Sequence, residues 1–502
     1  VLIVGAGPAG LFAACELARH GVQARLVEHR SEPHRQSRAT AIQPAGLELL
    51  ARAGLLEPFL ASSAHVRRTR LLARGGREIG TSDFAGIGCA HEHQCSLPQY
   101  RTEAILEQRL AELGGRVERG TTVMAIAEQA DGLAVTLRRP DGSSERVAVR
   151  SLLGAGGAHS ITRQSMAESL EGETYAGRFI VADIRAEVPH EPGEALFFVA
   201  PDGFALMAPL PEGRWISFVS LDPDGPAIDL VDPPELAQVN ALFDRRSGVR
   251  AGLHDMRWSA LFAMHRRIAP RLADGRRFLM GDAAHLSSPI GGEGLNSALM
   301  DAADIAWKLA LVLRGAARPT LLDSYAIERG LADRHVLQVS DDMHHYVTEL
   351  GAACAGGFAP PRPSPAQALK AARARAMLDI VYEGSPLVGE HRGGAPTAGP
   401  SERPRPGERF PDRIRLTGPA HHLLAFGEHP GLGRLQRRWA GLLDVLDGAA
   451  GGFDPARAGI APGGAVLVRP DGFIGFQAWS LAPGGLDALD RHLSSYLIPQ
   501  GA

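Results

Sequence analysis

Short apolar runs and glycine turns open the chain, and between them apolar residues recur at helical spacing. Val1 to Val4 reads as a strand buried on both faces. Pro8 to His20 places Leu11, Ala14, Leu17 and Ala18 along one helical stripe that stops at Gly21. Ala24 to Val27 is the next strand, and residues 43–60 and 101–114 read as helices. The order strand, helix, strand predicts an α/β unit with a parallel sheet.

From residue 116 the pattern turns to strands: Val123 to Ile126, Leu133 to Leu137 and Val147 to Leu153, parted by Asp131-Gly132 and Asp141-Gly142. Strand-like sequence continues through 175–220, with Ala195 to Val199, Phe204 to Ala208 and Trp215 to Val219. Arg277 to Met280 is a further strand, followed by a glycine-rich turn and a helix from about 295 to 314. Residues 322–383 are mainly helical, 384–408 are rich in Pro, Gly and Arg, and the last hundred mix strands with helices.

At roughly 100–200 residues per domain, a chain of 502 residues is expected to form about three. With 45% hydrophobic and 22% charged residues the composition is that of a soluble globular protein, and no apolar run is long enough to span a membrane. A formal charge of -3 offers nucleic acid no bulk attraction. Among 53 basic residues only Lys308 and Lys370 are lysine, so there is no P-loop lysine and little choice for a Schiff base. Cys15, Cys89, Cys95 and Cys354 are too scattered for a disulfide framework, which points to a reduced, cytoplasmic setting. Cys89, His91, His93 and Cys95 alternate and could share one strand face. Ligands two apart on one short strand rarely converge tetrahedrally, so no metal site is expected.

Candidate chemistry lies in two glycine loops. Gly5-Ala6-Gly7-Pro8-Ala9-Gly10 is a GxGxxG loop between strand and helix, and Glu28 ends the next strand. The first glycine allows the tight turn, the second lets a pyrophosphate approach, and the third lets helix pack on strand. Anions are favoured at the helix N-terminus, and Glu28 suits ribose hydroxyls, so FAD or NAD is favoured over NADP at this loop. A second loop follows the 277–280 strand: Gly281-Asp282-Ala283-Ala284-His285, then Ser288-Pro289-Ile290-Gly291-Gly292-Glu293-Gly294-Leu295-Asn296 and a long helix. A flavin, with its ribityl chain and ring, needs such a second site, and an NAD dehydrogenase does not.

With these two loops, Asp301 to Lys308 and the Tyr325…Glu328-Arg329 pair, the chain resembles the class A FAD-dependent aromatic hydroxylases, the para-hydroxybenzoate and phenol hydroxylase group. Its C-terminal part resembles the thioredoxin-like tail of phenol and polyketide hydroxylases, without CxxC. The resemblance implies a Rossmann-like FAD-binding domain in two parts, 1–174 and 266–383. It also implies an inserted β-sheet substrate domain at 175–265, a linker at 384–408 and a thioredoxin-like domain at 409–502. FAD is held non-covalently by Gly5, Gly7, Ala9, Gly10 and Glu28. Arg38, Gln99, Asp282, Pro289, Gly294, Leu295 and Asn296 complete its site, with Asp282 on a ribityl hydroxyl and the backbone N–H groups of Leu295 and Asn296 on the pyrimidine edge.

The activity so implied is monooxygenation of a phenolic, bulky polycyclic substrate. NAD(P)H docks transiently to reduce the flavin, O₂ adds to give the C4a-hydroperoxyflavin, and its distal oxygen is transferred. Baeyer–Villiger oxygenation or epoxidation on the same fold is the alternative. A poorly reducible flavin scaffold is another, because Gly156 stands where the family commonly has an aspartate. No general base emerges from the middle strands; Phe197, Phe198, Phe204, Met207 and Trp215 are read equally as core or as pocket. The protein is expected to act as a monomer or homodimer, away from nucleic acid and membrane.

Overall fold

The computed structural model describes residues 1–34, 37, 39–221, 231–288, 290–355, 363–393, 405–411, 416–448, 460, 462–482 and 484–499. Its first sheet has six strands in the order 273–274, 277–279, 152–154, 2–4, 25–28, 117–119, parallel except at the 273–274 edge. Leu2, Ile3, Leu26, Leu153 and Leu279 are fully buried in it, as apolar runs covered on both faces should be. Helix Pro8–Arg19 packs against the long helix Gly294–Leu313, so both glycine loops reach one end of the sheet.

The apolar run 147–153 is not one strand. Ser144–Val149 closes a three-stranded antiparallel sheet, and Leu152–Gly154 enters the parallel sheet beside Leu2–Val4. Apolarity alone does not mark where a chain changes partner.

The second sheet has eight strands, ordered 285–286, 254–268, 171–185, 214–220, 203–210, 194–200, 68–73, 78–83. The segment expected between 175 and 265 supplies its centre. Arg68–Ala73 and Glu78–Asp83 come from far earlier in the chain, the first pairing in parallel with Glu194–Ala200. Helix Leu236–Ser247 covers one face over Phe198, Met207 and Trp215; helix Asp323–Ala355 lies at the other.

The C-terminal unit is a five-stranded mixed sheet, in the order 389–391, 474–478, 465–468, 421–425, 443–447, with helices Leu432–Arg438 and Gly485–Tyr496. Its edge strand Gly389–His391 lies inside the segment expected to be linker and pairs with Ile474–Ala478. Trp307 and Leu311 of the long helix share one core with Leu467, Phe476 and Leu493. That shared core fastens the C-terminal unit to the nucleotide-binding unit. No described helix is long and apolar enough to cross a membrane.

Candidate active site

The N-terminal loop is shaped by what cannot fit beside it. Gly5 has a φ of +104°, and a Cβ there would lie 2.3 Å from the Ala155 carbonyl oxygen. At Gly10 a Cβ would stand 1.9 Å from Gly5 O, so helix and strand touch backbone to backbone. Gly7 meets nothing within 4 Å, leaving open space over the first turn of the 8–19 helix. Glu28 accepts hydrogen bonds from Ala6 N–H at 2.8 Å and Arg30 N–H at 3.0 Å, which fix its carboxylate against the loop. Gly5, Gly7, Ala9 and Glu28 line the central cavity, while Gly10 lies beneath as packing.

The second loop is held from below. Gly281 N–H donates to Asp301 Oδ2 at 2.9 Å, and His285 Nε2 meets the same oxygen at 2.8 Å. Arg329 Nε donates to Asp301 Oδ1 at 2.7 Å, and its Nη2 to Asp333 at 2.9 Å. Burial opposes a charge on His285, yet Asp333 and Asp301 outweigh it and lift its pKa to about 9. A second buried cluster continues toward the C-terminal unit: Lys308 bonds Asp304 and Glu328 at 2.6 Å, and Arg469 Nη1 bonds Glu328 at 2.5 Å. Tyr382 joins the two clusters, accepting from Arg329 at 3.2 Å with Arg469 over its ring. The Asp301–Lys308 and Glu328-Arg329 motifs therefore act under the site. Above them Asp282 faces the cavity.

Gly294 and Leu295 line the cavity where the long helix begins. The Asn296 side chain turns away: its Oδ1 accepts from Gln43 N–H at 2.8 Å and its Nδ2 donates to Ala41 O and Gly292 O. It bolts the helix start to the 41–43 segment; Asn296 itself is fully buried and is not among the residues lining the cavity. Gln99 lines the cavity, its N–H bonded to Ser37 Oγ at 2.6 Å and its Nε2 to Glu103 at 2.8 Å. Arg38 and Pro289 lie outside the described residues.

These groups border one continuous cavity of about 2380 Å³, running from the N-terminal loop past Asp282 and Leu295 to the eight-stranded sheet. That exceeds the roughly 300–1,000 Å³ of an ordinary ligand pocket, so a dinucleotide and a large second ligand have room. The sheet's cavity face presents Phe179, Val181, Phe197, Leu206, Phe218 and Phe262. Of the five residues read equally as core or pocket, only Phe197 lines the cavity. Phe198, Met207 and Trp215 belong to the core under the 236–247 helix, and Phe204 stacks on Phe197 from beside it. Alternation along a strand sends Phe197 and Phe198 to opposite faces.

Residues 1–340 match the FAD binding domain family model. Over 99% of both chains the sequence is 31% identical to 12-dehydrotetracycline 5-monooxygenase/anhydrotetracycline 6-monooxygenase of Streptomyces rimosus subsp. rimosus. The chain belongs to the class A FAD-dependent aromatic hydroxylases. Among solved structures, the hydroxylase is similar to OxyS anhydrotetracycline hydroxylase from Streptomyces rimosus, with 29% identity, a TM-score of 0.76 and 99% of each chain covered. It is also similar to aklavinone-11 hydroxylase in a ternary complex with FAD and aklavinone, at 26% identity and TM-score 0.78, covering 98% of this chain and 97% of that one.

The residues present fit FAD. Space above Gly7, the Glu28 carboxylate, Asp282 and the 294–313 helix N-terminus all border this one cavity. Gly156 in this hydroxylase has an ordinary φ of -77°, contrary to the positive φ that a glycine-rich turn suggests; Gly157 carries that at +73°. A Cβ at 156 would find nothing closer than 3.6 Å, so the missing aspartate is a chemical absence without a steric cause. Arg163, which lines the cavity, ties the 156–159 turn to the second loop through Ala158 O and, at 3.0 Å, Ala283 O.

Two functional candidates escaped the sequence reading. Arg375, on helix Pro365–Arg375, lines the cavity and lies over the Phe84 ring at 4.1 Å. Its Nε and Nη2 are buried without a partner, and burial pushes its pKa down to about 10. Glu293 is fully buried just before Gly294, and neither carboxyl oxygen receives a hydrogen bond from another residue. Burial lifts its pKa to about 7. Its carboxyl lies against Gly291, where a Cβ would fall 1.6 Å from Oε1. Arg375 stands in no spacing that signals chemistry, since folding alone brings it to the cavity; Glu293 lies within the second glycine loop, but nothing in that spacing marks its burial without a partner.

Proposed function

We propose that this hydroxylase inserts one oxygen atom from O₂ into a phenolic ring of a polycyclic, polyketide-type substrate, with NAD(P)H as transient reductant. The observation that carries the reading is the continuity of the cavity from the nucleotide loops to an aromatic sheet face. The tetracycline-type and aklavinone substrates in the names of its relatives support the substrate class. When bound non-covalently, FAD supplies the redox chemistry and the activation of dioxygen.

The chain's own residues do the rest. The N-terminus of the 294–313 helix presents N–H groups and a positive dipole end to negative charge. The Phe-rich sheet face excludes water and takes the flat rings. Arg375 orients an ionisable oxygen on the ring and favours its phenolate, which makes the ring electron-rich without a separate base. Four free cysteines and the need for NAD(P)H suit the cytoplasm, with the enzyme as monomer or homodimer.

The test is oxidation of polycyclic phenols under labelled dioxygen with NADH or NADPH, followed by product structure. One labelled hydroxyl on the ring is expected. A ring-expanded lactone would move the reading to Baeyer–Villiger chemistry, and NAD(P)H oxidation with no product from any phenol would defeat it.

A further inference from the structure

Outside the cavity, three metal-ligating side chains meet on a small sheet, where the sequence alone placed Cys89, His91, His93 and Cys95 on one strand. His65 in strand Ala64–Val66 pairs directly with Cys95 in the antiparallel strand Gln94–Ser96. Directly opposed residues in such a pair project to the same face. His93, two residues before Cys95, lies on that side, its ring stacked on His65 with centroids 4.7 Å apart. One ligand atom from each of His65, His93 and Cys95 lies within 4.8 Å of the others.

The hydrogen bonds leave donor atoms free for a cation. His65 Nε2 donates to the Leu60 carbonyl at 3.1 Å, so the lone pair sits on Nδ1. His93 Nε2 is buried and has no hydrogen-bond partner. The Cys95 thiol is fully buried with Ser63 beside it. Cys89 takes no part, since its thiol is bonded to the His91 carbonyl at 3.2 Å.

We propose that His65, His93 and Cys95 bind a divalent transition metal of the zinc class, as a staple between the 64–66 and 94–96 strands. Two imidazoles and a thiolate are the donor set such ions prefer, with a fourth position left to water. Bond lengths of about 2.0 Å to nitrogen and 2.3 Å to sulfur require the ligands to draw together by roughly an ångström. His65, exposed at the surface, is able to swing that far. The thiol proton goes to solvent on binding, so affinity rises with pH. Gln94, between His93 and Cys95 in sequence, lines the cavity, which puts the ion behind the cavity wall and out of reach of substrate.

The experiment titrates the FAD-loaded full chain with Co²⁺, reading cobalt d–d bands to the red of the flavin absorption, and then displaces Co²⁺ with Zn²⁺. One equivalent should bind with tetrahedral bands that Zn²⁺ removes. His65→Ala and His93→Ala should each weaken binding at least about tenfold, and Cys95→Ser should remove the thiolate-to-cobalt band. His65→Ala changes an exposed residue and keeps the test valid if the buried Cys95→Ser variant fails to fold. Absence of tetrahedral bands in the parent, or undiminished binding in both histidine variants, overturns the proposal.

Discussion

Two sets of buried charges differ in one respect. Asp301, Arg329, Asp333 and His285, with Lys308, Glu328 and Arg469, are buried and bonded to one another at short range. Glu293 and Arg375 are equally hidden and feel each other's charge, but among the described residues Glu293 receives no bond from another residue, and Arg375 bonds only Thr69, at 3.4 Å, with two nitrogens bare. Buried polar atoms left without a bond are costly, and beside a cavity they mark candidate ligand-binding groups. The first set therefore reads as architecture. The second reads as a site held ready, with Arg375 opening onto the cavity and Glu293 behind the loop that borders it.

Breaking the architecture should have the largest effect. Arg469→Met leaves Glu328 and Asp471 short of a cation, and we expect a loss of about 3–5 kcal/mol in denaturant unfolding. A loss below about 1 kcal/mol would erase the distinction. Arg375→Met should do the opposite: unfolding stability holds or rises, while kcat/KM for a phenolic substrate falls about 10–100-fold, the cost of a charged hydrogen bond. Unchanged steady-state kinetics would return Arg375 to the architecture.

Asp282 lies between the two sets, exposed to the cavity yet next to Gly281, which Asp301 holds. Asp282→Asn should weaken FAD binding by about 1.5–3 kcal/mol, read as flavin loss on dilution, with the fold unchanged.

Glu293 gives the pH signature. Its pKa, about 7 when folded, is raised above the usual carboxylate value. The stability from the protonated form is complete below the unfolded value and is lost as pH rises through about 7. Glu293→Gln should flatten that decline between about pH 4 and 8 in unfolding midpoints.

The smallest effect is expected where a charge is missing. Gly156→Asp meets no steric barrier, and because Arg163 already joins the two loops, anaerobic stopped-flow reduction by NAD(P)H should proceed at the parent rate. A faster reductive half-reaction would show that the absent carboxylate limits nicotinamide docking.

How much of this was legible in the chain depends on whether backbone or side chains make the contact. At Gly5 and Gly10 only a missing Cβ allows the approach to Ala155 and Gly5 O, and that requirement is written in the residue itself. The strand–loop–helix order was legible as well, because turn geometry and apolar periodicity act over a few residues. The Asn296 side chain was not, because its partners Gln43 and Ala41 are distant in sequence. The substrate wall was half legible: apolar strands were clear at 194–220, but which residues face the cavity depends on the strands' register.

Local physics therefore determined the elements and the nucleotide loops, because turn geometry, helix starts and apolar periodicity act over a few residues. Tertiary structure alone decided everything that joins distant segments. It drew the 68–83 strands into the substrate sheet and the 389–391 strand out of the linker. It tied the C-terminal Arg469 to Glu328, lodged Arg375 at the cavity with two nitrogens bare, and set His65 opposite Cys95. Each of these is a pairing between chain positions whose separation carries no periodic signal, so only the closure of the fold brings them together.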